Sequence, residues 1–190
     1  MDQLLDRNRQ TAMSHPYWIG PVPTMHVAMV LCMDTRIDTY RAFQIEAGEV
    51  HMLRNAGGVV TEDIVRSLAI SQHALGTREV MIVHHTDCGL ARLEEDAFRD
   101  HLARYAGYRP HWAVQAFKDP HDSVRESLLR VRASPFLLDT TKVRGFVFDV
   151  KSGLLEEVTA DLPIHDVDHA GSDGVALAAR PDDPDPQESR

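Results

Sequence analysis

The sequence predicts an α/β fold: a central, mostly parallel four-stranded sheet that is flanked by helices and carries a C-terminal edge hairpin. Short apolar runs alternate with helical patterns between residues 26 and 132. Strands that alternate with helices over this length pair in parallel through right-handed crossovers. A fourth apolar run, VRGFVFDV at residues 143–150, is followed by KSG and LLEEV, which predict a turn and a returning edge strand.

The individual elements follow from residue type and spacing. The first strand, at residues 26–33, is apolar and β-branched with little alternation, which is typical of a strand buried on both faces. Two further strands are predicted at residues 49–53 and 79–84. Apolar residues at helical spacing and capping residues such as Thr61 predict the helices. These cover residues 2–14, 38–46, 61–76, 91–105 and 122–132.

Composition predicts one domain with a distinct segment at each end. Residues 1–24 are predicted to form a helix and an extended arm with three prolines, which packs on a second subunit or covers its own core. Residues 25–160 form the α/β domain. Residues 161–190 hold eight acidic and two basic side chains, so an acidic, partly disordered tail is expected.

Charge and hydropathy argue against several classes of protein. The net charge of −9 without a Lys/Arg cluster argues against nucleic-acid binding. The apolar run at residues 26–33 is far shorter than the ~20 residues that span a bilayer, and no signal peptide is evident. A cytoplasmic protein is therefore expected. In that reducing compartment its two cysteines could be inert thiols, one reactive thiol with a bystander, or ligands of a shared metal.

Sulfur and imidazole side chains follow two of the predicted strands. The first strand ends in CMDTR at residues 32–36, and the third ends in HHTDCG at residues 84–89. The carboxyl ends of parallel strands meet at one edge of a sheet, where ligands gather. Two cysteines and one histidine suit zinc in a site that keeps its fourth position open.

One of two adjacent histidines is expected at such a site, because neighbouring strand residues point to opposite faces. We predict His85, three residues before Cys88, as the metal-facing histidine. His84 then faces the other way, as a core or interface histidine or as a proton relay.

Together these motifs resemble the β-class carbonic anhydrases. The resemblance rests on Cys-x-Asp-x-Arg at residues 32–36, His-x-x-Cys at residues 85–88, RNAGG between them and the late hairpin, and it covers about residues 25–160. The form CMDTR with HHTDCG is similar to the short prokaryotic branch of the family, which also contains hydrolases of carbonyl sulfide and carbon disulfide.

The resemblance implies a zinc lyase that converts CO2 and water reversibly to bicarbonate and a proton. Cys32, His85 and Cys88 would bind Zn2+. Asp34 and Arg36 would form the catalytic carboxylate–guanidinium pair, with Asp34 held either by Arg36 or by the metal. A homodimer or a multiple of dimers is implied.

Other interpretations stay open at this point. Arg54, Gly57 and Gly58 could line the substrate pocket or form a plain packing turn. The same ligands could serve a carbonyl sulfide or carbon disulfide hydrolase, since a hydrophobic pocket discriminates poorly between linear molecules of one shape. A non-catalytic zinc-binding homologue and a metal-free thiol protein are alternatives of another class.

Overall fold

A five-stranded sheet forms the centre of the molecule. In the computed structural model, which describes residues 1–12, 20–138 and 142–160, the strands β1 to β5 are Val27–Cys32, Val50–Asn55, Glu79–His85, Val143–Phe148 and Leu155–Val158. Their order across the sheet is β2-β1-β3-β4-β5. The first four strands are parallel, and β5 pairs antiparallel with β4. The predicted parallel sheet with an edge hairpin is therefore confirmed.

Five helices accompany the sheet within the described part of the chain. The helices α1 to α5 are Asp2–Ala12, Thr39–Phe43, Glu62–His73, Glu95–Ala106 and Pro120–Arg132. Thr61 caps α3 as predicted, because its side chain accepts a hydrogen bond from the N–H of Ile64.

The helix predicted from residue 91 begins later than expected. Residues Gly89–Arg92 form a short 3-10 turn instead, and Leu93 and Glu94 are extended before α4 starts. This 3-10 turn follows Cys88 directly, and Cys88 is its N-cap residue.

Two apolar layers hold the sheet in place. One contains Leu68 of α3, Ile82 of β3 and Leu128 of α5. The other contains Leu31 and Phe148 together with Cys32, Cys88 and neighbouring loop residues. Both cysteines therefore lie against a close-packed interior, which limits their movement.

Parallel pairing of β1 with β3 determines where the functional motifs meet. Leu31 is the register partner of Val83, so both strands end at the same edge of the sheet. The segments that follow, at residues 32–36 and 84–89, consequently lie side by side.

Some predictions concern residues outside the described ranges. Much of the extended arm, including Tyr17 and Trp18, and the acidic tail at residues 161–190 belong to this group. Among the described residues, no helix is both long and apolar enough to cross a membrane.

Candidate metal centre

Three possible metal donors converge at the shared edge of β1 and β3. Cys32, His85 and Cys88 are all buried, and their donor atoms lie within 4.8 Å of one another. The two Sγ atoms are 3.9 Å apart. Cys32 ends β1 and His85 ends β3. Asp87 has a left-handed φ of 55° in the turn that leads from His85 to Cys88.

The hydrogen bonds of His85 leave one ring nitrogen available for a metal. Its Nδ1 lies 2.9 Å from the carbonyl oxygen of Thr86. A carbonyl only accepts, so we assign the proton to Nδ1 and a lone pair to Nε2. The buried Nε2 has no hydrogen-bond partner. Metal-binding histidines use this arrangement, in which a backbone carbonyl fixes the ring and its tautomer.

The two thiols have opposite tendencies to ionise. The interaction with Cys88 lowers the pKa of Cys32 against the opposing effect of burial, and His85 and backbone N–H groups of Asp34 and Gly57 add to the lowering. The pKa of Cys88 is raised, because it interacts with the Cys32 thiolate and is desolvated. One thiolate and one thiol are therefore favoured in the protein by itself, and a bound cation is needed to ionise both.

The charge around His85 also favours a cation. Burial disfavours the charged imidazole, but interactions with Cys32, the Thr86 carbonyl and Asp34 outweigh it and raise the pKa of His85. Two sulfurs and one free imidazole nitrogen in a buried cluster fit the three protein ligands of an open zinc site.

The predicted carboxylate–guanidinium pair lies beside these donors. Arg36 binds Asp34 through Nε to Oδ1 at 3.0 Å and through Nη2 to Oδ2 at 2.8 Å. This hydrogen-bonded pair holds the pKa of Asp34 well below its usual range, although partial burial works in the other direction. Asp34 Oδ2 lies 3.9 Å from Nε2 of His85. A carboxylate that is ionised near neutral pH is thus held next to the donor cluster.

Two further residues, Asp87 and Arg92, are connected to this pair by hydrogen bonds. Neither was among the site residues predicted from the sequence. Arg36 also donates from Nη1 to Oδ2 of Asp87 at 2.7 Å and from Nη2 to the Asp87 carbonyl at 2.8 Å. The other carboxylate oxygen of Asp87 accepts a hydrogen bond from Arg92. The position of Asp87 between His85 and Cys88 was the only signal in the sequence, and nothing there indicated Arg92.

Arg54 supports the loop that contains Cys32 and Asp34. Its Nε donates to the Cys32 carbonyl at 2.9 Å, and its Nη2 donates to the Asp34 carbonyl at 2.8 Å. The side chain therefore binds the backbone of the segment that carries the predicted site residues, a contact that its place in RNAGG did not indicate.

Gly57 and Gly58 lie beneath the same loop in a closely packed turn. A Cβ on Gly58 would lie 2.8 Å from the backbone nitrogen of Cys32 and 2.9 Å from the carbonyl carbon of Leu31. A Cβ on Gly57 would lie 2.4 Å from Cδ2 of Leu90. Both glycines have φ in the left-handed region. Close contact with backbone atoms at Gly58 and with the Leu90 side chain at Gly57 thus explains the two glycines, in agreement with the packing-turn interpretation.

His84 lies in the core beside this turn. Its Nε2 donates to the carbonyl of Gly58 at 3.0 Å, and its ring stacks on Phe117 with the centroids 5.7 Å apart. Burial lowers its pKa to about 4, so His84 is neutral near pH 7.

A wide surface groove lies away from this cluster. It has a volume of about 1260 Å³, runs along α3 and includes Trp112, Arg130 and Phe136 in its walls. None of the predicted site residues line it. The candidate centre is therefore defined by its buried donors and is separate from this groove.

Comparison with known proteins agrees with the fold and identifies the family. A family model described as "Carbonic anhydrase" matches residues 27–155. The chain belongs to the β-carbonic anhydrase family.

Named relatives include both enzymes that the motifs had suggested. Beta-carbonic anhydrase 1 of Mycobacterium tuberculosis is 49% identical over 143 residues, 74% of this chain and 88% of the relative. A carbon disulfide hydrolase of Acidithiobacillus thiooxidans is 28% identical over 145 residues, 65% of this chain and 72% of the relative. The crystal structure of carbonic anhydrase from Streptococcus mutans has a TM-score of 0.77 at 34% identity, and the match covers 83% of this chain and 96% of that one.

The tight turn at Gly58 gives a prediction about stability. The variant Gly58→Ala should lower the free energy of unfolding by about 3 kcal/mol, because the added methyl group meets backbone atoms and the left-handed φ is strained. Gly153→Ala is the matched control: its φ is 76° and no atom lies within 4 Å of the added Cβ. That variant should lose only about 1 kcal/mol. Urea denaturation measures both losses, and equal losses would contradict the packing argument.

Proposed function

We propose that this protein is a zinc-dependent lyase that catalyses the reversible hydration of CO2 to bicarbonate and a proton. The observation that carries the proposal is the ionised Asp34, held by Arg36, beside three buried donors. The relation to Beta-carbonic anhydrase 1 of Mycobacterium tuberculosis supports the same activity. The proposal includes the cytoplasmic location that the sequence predicts.

Zinc is the metal that this donor set favours. Cys32, His85 and Cys88 would hold it, because thiolate and imidazole ligands suit Zn2+ better than they suit Mg2+ or Ca2+. When bound, Zn2+ supplies a Lewis acid that makes water nucleophilic near neutral pH.

Asp34 is proposed to orient the reacting water and not to store its proton. With its pKa held well below the usual range, the carboxylate is too weak a base to take up a proton at neutral pH. It can accept a hydrogen bond from the water and direct the oxygen lone pair at CO2. Arg36 keeps the carboxylate in one orientation by binding both oxygens, which a lysine could not do.

The role of Asp34 is tested by the variant Asp34→Asn. It should retain one zinc per chain and lose CO2 hydration activity by about 100-fold, because the neutral amide is a weaker acceptor and no longer pairs with Arg36. Asp63→Asn is the control, since Asp63 pairs with Arg66 on the exposed face of α3 and should leave the rate unchanged. Stopped-flow hydration assays with metal analysis measure both quantities, and full activity in Asp34→Asn would exclude the proposed role.

The substrate is tested on the same zinc-loaded protein. The relation to carbon disulfide hydrolases makes carbon disulfide and carbonyl sulfide the alternative substrates. We expect turnover of CO2. Release of hydrogen sulfide from the sulfur compounds, without CO2 hydration, would favour the alternative function. Bound zinc without turnover of any of the three would indicate a non-catalytic homologue.

We further propose that the protein is a homodimer or a larger assembly of dimers, with α1 at the subunit contact. None of the 11 residues of α1 is buried, although Leu4 and Leu5 lie close together on one side of it. A helix of this length is marginal by itself in water and gains most of its stability from packing. A second subunit would supply that packing.

The proposed contact is tested by adding charge to either side of α1. The double variant Leu4→Glu/Leu5→Glu should shift the protein towards the monomer, because burying two carboxylates at a contact is unfavourable. Gln3→Glu/Gln10→Glu adds the same charge on the opposite face, given 100° per residue, and should leave the assembly unchanged. Light scattering on a dilution series measures the mass, and an unaltered assembly in the leucine variant would place α1 outside the contact.

A further inference from the structure

Asp87 occupies an unusual position between two of the proposed metal ligands. It follows His85 by two residues, precedes Cys88, and is one of four non-glycine residues with a left-handed φ in the described part of the chain. Its carboxylate accepts hydrogen bonds from two arginines, Arg36 and Arg92, and is not one of the three clustered donors. The side chain is therefore available for a role other than metal binding.

The Arg36 guanidinium donates two hydrogen bonds to each of its two acidic neighbours. Asp34 receives hydrogen bonds from Nε and Nη2, and Asp87 receives them from Nη1 on its carboxylate and from Nη2 on its carbonyl. Arg92 donates a hydrogen bond to the other carboxylate oxygen of Asp87. The result is a row of alternating charges, Asp34–Arg36–Asp87–Arg92, that connects the loop after β1 to the turn after β3.

The contact with Asp87 fixes the plane of the guanidinium. The Arg36 side chain is 44% exposed, and a long side chain that is so exposed has many accessible rotamers. A planar guanidinium that is bound on two edges can no longer rotate independently of either partner. The contact with Asp87 thus restricts the rotamers of Arg36 and favours its hydrogen bonds to Asp34.

Asp34 has an alternative position within reach. Its Oδ2 is 3.9 Å from Nε2 of His85, one of the three donors that cluster within 4.8 Å. A carboxylate is itself a good zinc ligand. If Arg36 released it, Asp34 could turn towards the cluster and become a fourth protein donor, which would close the position that water needs.

We propose that Asp87, anchored by Arg92, is a positioning residue that holds Arg36 on Asp34 and so keeps the Asp34 carboxylate out of the metal coordination sphere. This inference rests on the metal set in the proposed function. It adds two residues, Asp87 and Arg92, that act through Arg36 without touching the substrate.

The test uses the full-length protein loaded with Co2+, whose visible absorption reports its ligands, and azide as the probe of an open coordination position. In Asp87→Asn the amide keeps the shape and tolerates the left-handed φ, but it loses the charge that attracts Arg36. Cobalt should bind at one per chain as before. The cobalt bands should shift, and the dissociation constant for azide should rise about fivefold, because the Asp34 carboxylate competes for the open position.

Two further variants separate a positioning role from a merely structural one. Arg92→Gln should weaken azide binding in the same direction but less, because it removes only the anchor of Asp87. In an Asp34→Asn background, Asp87→Asn should have no further effect on azide affinity, because the competing carboxylate is gone. Asp96→Asn, which removes another exposed carboxylate paired with an arginine, is the control and should not change azide affinity.

Each contrary outcome points to a different failure. Unchanged azide affinity and cobalt bands in Asp87→Asn would overturn the inference and leave the proposed function intact. Loss of cobalt from Asp87→Asn, or an effect that persists in the Asp34→Asn background, would also overturn it by assigning Asp87 to the ligand turn itself. Failure of the unmodified protein to bind cobalt or to hydrate CO2 would instead refute the proposed function.

Discussion

The parallel pairing of β1 with β3 is the constraint on which the rest of the site depends. It brings the ends of two strands that are far apart in the sequence to one edge of the sheet, with Leu31 beside Val83. Cys32 is supplied by one strand end, and His85 and Cys88 by the other. Neither segment holds three donors by itself. A shift of one residue in register would turn every side chain of a strand to the opposite face and would separate the donors.

Backbone contacts secure the loops that continue from these strands. Gly58 packs against the peptide between Leu31 and Cys32, and Arg54 binds the carbonyls of Cys32 and Asp34. Arg36 then connects this loop to the turn at Asp87. The donors therefore stand in a prearranged cluster. Prearranged ligands lower the cost of ordering when a metal binds and restrict its geometry.

Electrostatics give the cluster a preference for a divalent cation. Two sulfur atoms 3.9 Å apart in a buried site do not both ionise readily, and the opposite pKa shifts of Cys32 and Cys88 express this repulsion. Asp34 adds another negative charge nearby, which Arg36 partly neutralises. A cation with a charge of two compensates both thiolates, so metal binding and thiol ionisation support each other.

Much of the fold and of the donor cluster could be predicted from the sequence because the determining signals are local. Apolar runs indicated the strands. The alternation of side chains along a strand allowed only one of His84 and His85 to face the metal, and the His-x-x-Cys spacing favoured His85. Three features could not be predicted. The row Asp34–Arg36–Asp87–Arg92 depends on the left-handed turn at Asp87, and the late start of α4 depends on the 3-10 turn after Cys88. The binding of Arg54 to carbonyl groups depends on how two loops pack, which no local pattern encodes.

The most direct test of the account is X-ray absorption spectroscopy at the zinc edge of the loaded protein. The account predicts two sulfur scatterers at about 2.3 Å and two nitrogen or oxygen scatterers at about 2.0–2.1 Å, from Cys32, Cys88, His85 and one further light atom. A zinc shell without sulfur, or with four sulfur atoms, would contradict the site on which the proposed function rests.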